Sequence, residues 1–243
     1  MTNWWSRAAL LGASGAVALL IIGPLGTRFD LWEMGLGFQL LMVGSGVAAV
    51  VALVAIVAVT LAWRRRLWGD LGAAALGLLI CLATVAHVSL LRHAAMTMPR
   101  IHNISTNTDD PPQFVEIVAL RGAGSNPLEL DAETVALLQA EVYPHVMPLV
   151  TQAAPEAAFA EARAALKDMG IEIVAEHPEQ GLIEATDTTF WFGFKDDVAI
   201  RVRPHAEGAL VDVRSVSRVG IGDLGANAER IGEILRRLSG GGR

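Results

Sequence analysis

The chain has one cysteine, Cys81, in 243 residues. That excludes a disulfide framework and a cysteine-rich metal site. Charge is scarce as well: 18% of residues are charged, against about 25% in ordinary soluble domains. A basic excess is also missing. The net charge is −6 and the isoelectric point is near 5.5, which argues against a general nucleic-acid binder. Catalytic signatures are wanting too. No His-x-x-x-His or His-Glu-x-x-His spacing occurs, and Gly220-Ile221-Gly222 lacks the rest of a phosphate-binding or dinucleotide-binding loop. Ser215 and Ser217 sit in no nucleophile-elbow context, so no Ser–His–acid triad is readable. Asp196 and Asp197 are neighbours on an expected strand and point to opposite faces, so they are not a cooperating acid–base pair. No catalytic residue, cofactor or metal is indicated.

Apolar residues are what the chain has in abundance. They make up 53% of it, the mean hydropathy is +0.44, and the excess lies before residue 92. Ala8–Gly26 and Met34–Trp63 carry no charge, and Leu67–Leu91 carries only Asp70 near its start. Each reaches the roughly 20 residues a helix needs to cross a hydrocarbon core. Inside lipid only self-bonded backbone is affordable, so three transmembrane helices are expected, at about 8–26, 36–63 and 67–91. A cleaved signal peptide does not suit the first run, because Ile22–Gly26 offers no small-x-small cleavage site and two further spans follow. Trp4, Trp5, Trp32, Trp63 and Trp68 stand at the run ends, where indoles favour the headgroup level. Gly44, Ala48 and Ala52, and likewise Ala73 and Gly77, repeat every four residues. That spacing suits close helix packing, although high Ala and Gly content alone also produces it.

The two halves differ in charge. Residues 1–91 hold five arginines and three acids; the remainder holds 14 basic and 22 acidic residues. Arg64-Arg65-Arg66 is the strongest basic cluster, and the positive-inside rule places it in the cytoplasm. The amino terminus then lies inside, and everything after the third span lies outside. Arg92 and Arg100, flanking that exit, weigh against this orientation but are outnumbered.

Beyond the spans, 92–130 reads as a polar connecting segment and loop, and 131–243 as an α+β soluble domain. Helices are expected at Asp131–Val142, at Pro155–Met169 ended by Gly170, and from about Asp223 to Leu238, with Asp223 as N-cap and Leu224, Ile231, Leu235 and Leu238 on one face. Strands are expected at Ile171–Glu176, Leu182–Phe190, Val198–Arg203 and Leu210–Ser217, the last two joined by the five-residue hairpin loop Pro204–Gly208. Such short links make a four-stranded antiparallel sheet, packed on helices as a two-layer sandwich. Val198, Ile200, Val202, Val211 and Val213 should meet the helices. The other face then presents Arg201 and Arg203 beside Asp212, Arg214 and Arg218.

This charged face allows two readings: cross-strand ion pairs, or a site for an anionic group, which guanidinium forks fit well. A second cluster joins Ser217, Arg218, Asp223, Asn227 and Arg230 around a glycine turn. It is either an anion cradle or a structural tie between strand and helix. The segment His102–Pro112 could fold back over the sheet and bring His102, Asp109 or Asp110 to the arginine row, or could hold a cation there.

Four stretches together resemble a known bacterial and plastid family. They are His102–Thr106 followed by Asp109–Pro112, Phe192–Val198, Asp212–Gly220 and Asp223–Ile231. The family is the domain of unknown function 1499, DUF1499, and the resemblance spans roughly His102 to Leu238, leaving out the apolar half. It implies no activity. The expectation is therefore a multi-pass bacterial inner-membrane protein presenting an extracytoplasmic module. That module binds an anionic small molecule or an envelope protein through Arg201, Arg214, Arg218, Asn227 and Arg230. The alternatives are an envelope enzyme acting on a lipid or polymer, and an accessory subunit of a membrane complex.

Overall fold

The computed structural model describes residues 4–130 and 132–240. The chain divides into two compact units, one of Met1–Thr97 with Phe190–Gly193, the other of Met98–Thr189 with Phe194–Arg243.

The first unit holds three helices, α1 (Trp4–Arg28), α2 (Met34–Arg64) and α3 (Trp68–Thr97), each long and apolar enough to cross a membrane. Each outruns its apolar stretch, because a helix continues past the hydrocarbon while its own hydrogen bonds remain satisfied. Large side chains point outward: Leu11, Val50, Leu53, Leu79 and Leu90 are exposed. Small ones lie inside, among them Ala9, Ala13, Ala16, Ala48, Ala52 and Cys81. Water would select the reverse distribution; lipid, as apolar as leucine itself, leaves close backbone approach as the packing force. The repeat Gly44, Ala48, Ala52 is buried along α2, and a Cβ on Gly44 would lie 3.0 Å from the Ala16 carbonyl oxygen. On α3 the buried stripe is Ala74, Gly77 and Cys81, while Ala73 is only partly covered.

In the second unit, β1 (Asn103–Ser105), the short helix α4 (Ile117–Leu120), α5 (Ala132–Val142), β2 (Leu149–Thr151) and α6 (Pro155–Asp168) precede a meander. The meander is β3 (Glu172–His177), β4 (Leu182–Thr188), β5 (Lys195–His205) and β6 (Gly208–Ser217), and α7 (Ala226–Leu238) follows it. The expected helix start, Asp131, lies outside the described residues. The sheet is antiparallel with six strands rather than four, ordered β1-β6-β5-β4-β3, with β2 also on β6. β1 and β2 share one edge of β6, pairing with Arg214–Val216 and Ala209–Val211 respectively. Three residues carry too little alternation to announce a strand, and β1 hides in a polar stretch; long-range pairing makes them strands. Its free edge is closed by the buried Gln139 side chain, whose amide donates to the Ser105 carbonyl at 2.7 Å and accepts from the Ser105 N–H at 3.1 Å.

The β5–β6 connection is tighter than the five residues expected, since His205 already faces Gly208 across the hairpin. Pro204 is tolerated because β4 pairs with β5 only as far as Arg201. The valines meet the helices as expected: Val198, Ile200, Val202, Val211 and Val213 share a core with Ala158, Ala162, Leu166, Ile231 and Ile234. The helix α7 starts three residues late. Gly225, at φ +87°, holds the N-cap position, and the Asp223 carboxylate accepts from the Gly225 and Asn227 N–H groups from just outside the helix. Leu224 is consequently exposed rather than part of the apolar face. The other sheet face is not open. Phe114, Ile117 and Leu128, from the segment between β1 and α5, pack on Leu182, Ala199 and Val216.

A Cβ at Gly77 would lie 3.1 Å from the Ala9 carbonyl carbon. Gly77→Val should force α3 from α1 and destabilise the helical unit by about 1–3 kcal/mol. Detergent-titrated unfolding of the full chain followed by circular dichroism measures this, whereas the outward Leu79→Val should be nearly silent.

Candidate functional site

Alternation along β6 sends polar residues to both sheet faces, and the expected site residues accordingly separate into groups. On the face away from α6 and α7, Arg214 is fully buried. Its Nε donates to Asn103 Oδ1 at 3.1 Å, its Nη1 to the Pro112 carbonyl at 3.1 Å and its Nη2 to the Leu128 carbonyl. Its guanidinium lies 5.3 Å from the Phe114 ring centroid. Burial, chiefly, pushes its pKa down to about 10, so it remains a cation at neutral pH.

Beside it, the buried Asp197 carboxylate binds two guanidiniums. Arg218 grips it through Nε and Nη2 at 2.7–3.1 Å, Arg121 bonds the other side, and the Thr186 hydroxyl donates at 2.9 Å. Arg218 also donates to the Leu120 carbonyl, and Arg121 to that of Asn126, so both arginines hold the loop down. Further along, Arg201 and Arg203 form an alternating square with Asp212 and Asp110. Asp212 Oδ2 accepts from Arg201 at 2.9 Å and from Arg203 at 2.7 Å; Asp110 Oδ2 lies 3.0 and 3.1 Å from the same two groups. The returning segment thus brings Asp110 to the arginine row. The two guanidiniums hold the Asp110 carboxyl below its ordinary range, Arg201 contributing most. Asp109 stays exposed.

On the helix-facing side, Arg230 reaches from α7 into a closed network. It donates to Asp196 Oδ2 at 2.7 Å, Asp187 Oδ2 at 2.8 Å, Asn227 Oδ1 at 2.7 Å and Ser215 Oγ at 3.0 Å. Asn227 completes it through the Ser217 hydroxyl at 2.9 Å and the His102 carbonyl at 3.2 Å. Burial pushes the Asp196 carboxyl up, with Arg230 pulling it back. Burial likewise lowers the half-buried His102 imidazole. His102 therefore joins the α7 network through its backbone, and the structure does not bring it to Asp110. Asp196 and Asp197 do face opposite ways, Asp196 to Arg230 and Asp197 to Arg218 and Arg121.

Three participants escape a reading by motif. Arg121 lies in an irregular loop and gives no periodic signal. Glu184 is wholly buried and accepts from the N–H groups of Val115, Glu116 and Ile117, at the start of α4. Gln139 sits on the inner side of α5. Only Glu184 had a signal, the two-residue alternation that puts it on the face of Leu182 and Thr186.

The buried charged side chains lie on β4 (Glu184), β5 (Asp196, Asp197), β6 (Asp212, Arg214) and α7 (Arg230). Residues 103–238 match the family model described as a protein of unknown function, DUF1499. The chain belongs to the DUF1499 family. No curated protein matches it. In this DUF1499 domain the match begins with β1 and ends with α7, so β1, absent from a four-strand reading, is part of the family unit. Two surface grooves of the domain, one lined by Glu161, Asp168 and Arg236, the other by His145 and Gly232, contain none of the expected site residues.

Arg230→Met leaves the buried Asp196 without its cation, which should cost about 3–5 kcal/mol at neutral pH. A carboxyl raised in the fold contributes stability below its unfolded value of 3.8 and loses it as pH rises through the folded value. The deficit of the variant should therefore shrink on acidification. Denaturant unfolding of the full chain at neutral and acidic pH tests both magnitude and direction.

Proposed function

We propose that this protein is a multi-pass membrane protein of the bacterial cell envelope whose DUF1499 domain, on the extracytoplasmic side, binds an anionic group at Arg201 and Arg203. The observation that carries this reading is the exposure of Arg203 and of the carboxylate that bridges it to the more buried Arg201. Arg214, Arg218 and Arg230 are largely buried and committed to carbonyls or to buried carboxylates. Arg203 is 37% exposed, and the carboxylate bridging it to Arg201 on the outer side, Asp110, is 60% exposed on a loop. An exposed carboxylate spanning two guanidiniums has the chemistry of the ligand they would take, a carboxylate or phosphate. Asp110 acts as an internal surrogate that a stronger anion displaces, while the buried Asp212 keeps the two forks aligned from beneath.

The closed networks around Arg218 and Arg230 support structural roles, so Ser217, Asp223, Asn227 and Arg230 support the site by holding strand and helix rather than by touching the anion. The triple arginine at 64–66, at the α2–α3 turn, supports the cytoplasmic placement of that turn.

Asp110→Asn should tighten binding of inorganic phosphate to the full-length protein by several-fold, and Arg203→Ala should abolish it. Calorimetry on the detergent-solubilised protein reads both, and unchanged phosphate binding in both variants would refute the assignment. A reporter enzyme active only outside the cytoplasm, fused after Arg243, should be active; activity only of a cytoplasmic reporter overturns the orientation.

A further inference from the structure

The segment between β4 and β5 has the sequence Thr189-Phe190-Trp191-Phe192-Gly193-Phe194, without a charge. Its neck is closed by the Thr189 N–H on the Phe194 carbonyl and by the Phe194 N–H on the Thr189 hydroxyl, both at 2.9 Å. The tip, Phe190–Gly193, is part of the helical unit. There Arg28, the last residue of α1, donates to the Phe190 carbonyl at 2.6 Å and lies 5.5 Å from its ring centroid. The Phe192 ring packs against Phe38 of α2, with centroids 4.8 Å apart and planes tilted by 31°. Gly193, at φ +69°, sits close against Arg28: a Cβ would lie 3.1 Å from Arg28 Cγ.

Phe192 is thus held, yet Phe190 and Trp191 project, 69% and 50% exposed. They stand beside the α1–α2 turn, where Phe29 and Leu31 are 65% and 70% exposed. Four large apolar side chains therefore share the end at which two apolar helices terminate. An uncharged aromatic tip next to an arginine is the composition of a bilayer interface, where amphipathic rings settle and a guanidinium reaches headgroups.

We infer that Phe190 and Trp191 insert into the headgroup–acyl boundary of the bilayer, making the β4–β5 tip a lipid-seated anchor level with Phe29 and Leu31. This rests on the helices crossing a membrane. The occupant is lipid because the tip is continuous with the outward apolar surface of those helices.

The test places single cysteines in a Cys81→Ala background of the full chain, labels them with an environment-sensitive fluorophore and reconstitutes the protein in phosphatidylcholine–phosphatidylglycerol vesicles. The vesicles carry lipid nitroxides at either a shallow or a chain-end depth. Trp191→Cys, with Phe190→Cys as the second variant, should be quenched most by the shallow nitroxide, to the same degree as Phe29→Cys. Leu53→Cys, mid-helix, should respond to the chain-end nitroxide and Glu207→Cys, on the β5–β6 turn, to neither. If positions 190 and 191 behave like 207 while 53 is still quenched, the anchor is refuted and the spans stand. If position 53 also escapes quenching, the membrane reading falls and the anchor falls with it.

Discussion

A guanidinium that has left water without a carboxylate partner dictates the course of a long stretch of this chain. Arg214 must place its donors on whatever acceptors can be brought to it, since an unsatisfied buried cation would cost several kcal/mol. Those acceptors are Asn103, Pro112 and Leu128, spread over 26 residues of sequence without regular structure except β1 and α4. Arg121 and Arg218, both on Asp197, then bind the same segment by its carbonyls at Leu120 and Asn126, and Glu184 takes its N–H groups at 115–117. The loop is ordered by buried charge on the sheet beneath it, and its few apolar residues fill the space left between.

The same logic divides the arginines by purpose. Where a guanidinium is buried and every acceptor is protein, replacing it breaks the fold. Where the bridging carboxylate is itself exposed, as Asp110 is between Arg201 and Arg203, the bridge is weak, because solvent screens that carboxylate and competes for it. At one end of the arginine row an exposed carboxylate, Asp110, and a buried one, Asp212, thus share the same two guanidiniums.

The two units pack by opposite rules, the ones that water and lipid would respectively select. The DUF1499 unit hides valine, isoleucine and leucine between sheet and helices; the helical unit hides alanine and glycine and turns leucine outward. The tip at 190–193 obeys the second rule, although the chain on either side of it obeys the first.

Periodicity alone was sufficient for the three long helices, α6, α7, the four strands of the meander and the face its valines bury, because these depend on neighbours within a few residues. Alternation along each strand also put Arg201 with Arg203, and Asp212 with Arg214, on one face, and the short hairpin between β5 and β6 joined the two pairs. Tertiary structure decided the rest. Asn103–Ser105 and Leu149–Thr151 are strands only because β6 offers an unpaired edge, which no local pattern in three residues records. Arg230 meets Asp196, and Asp110 meets Arg201, across more than 30 and 90 residues respectively. Which carboxylate answers which guanidinium depends on the path of the loops between them, and only the folded chain sets that path.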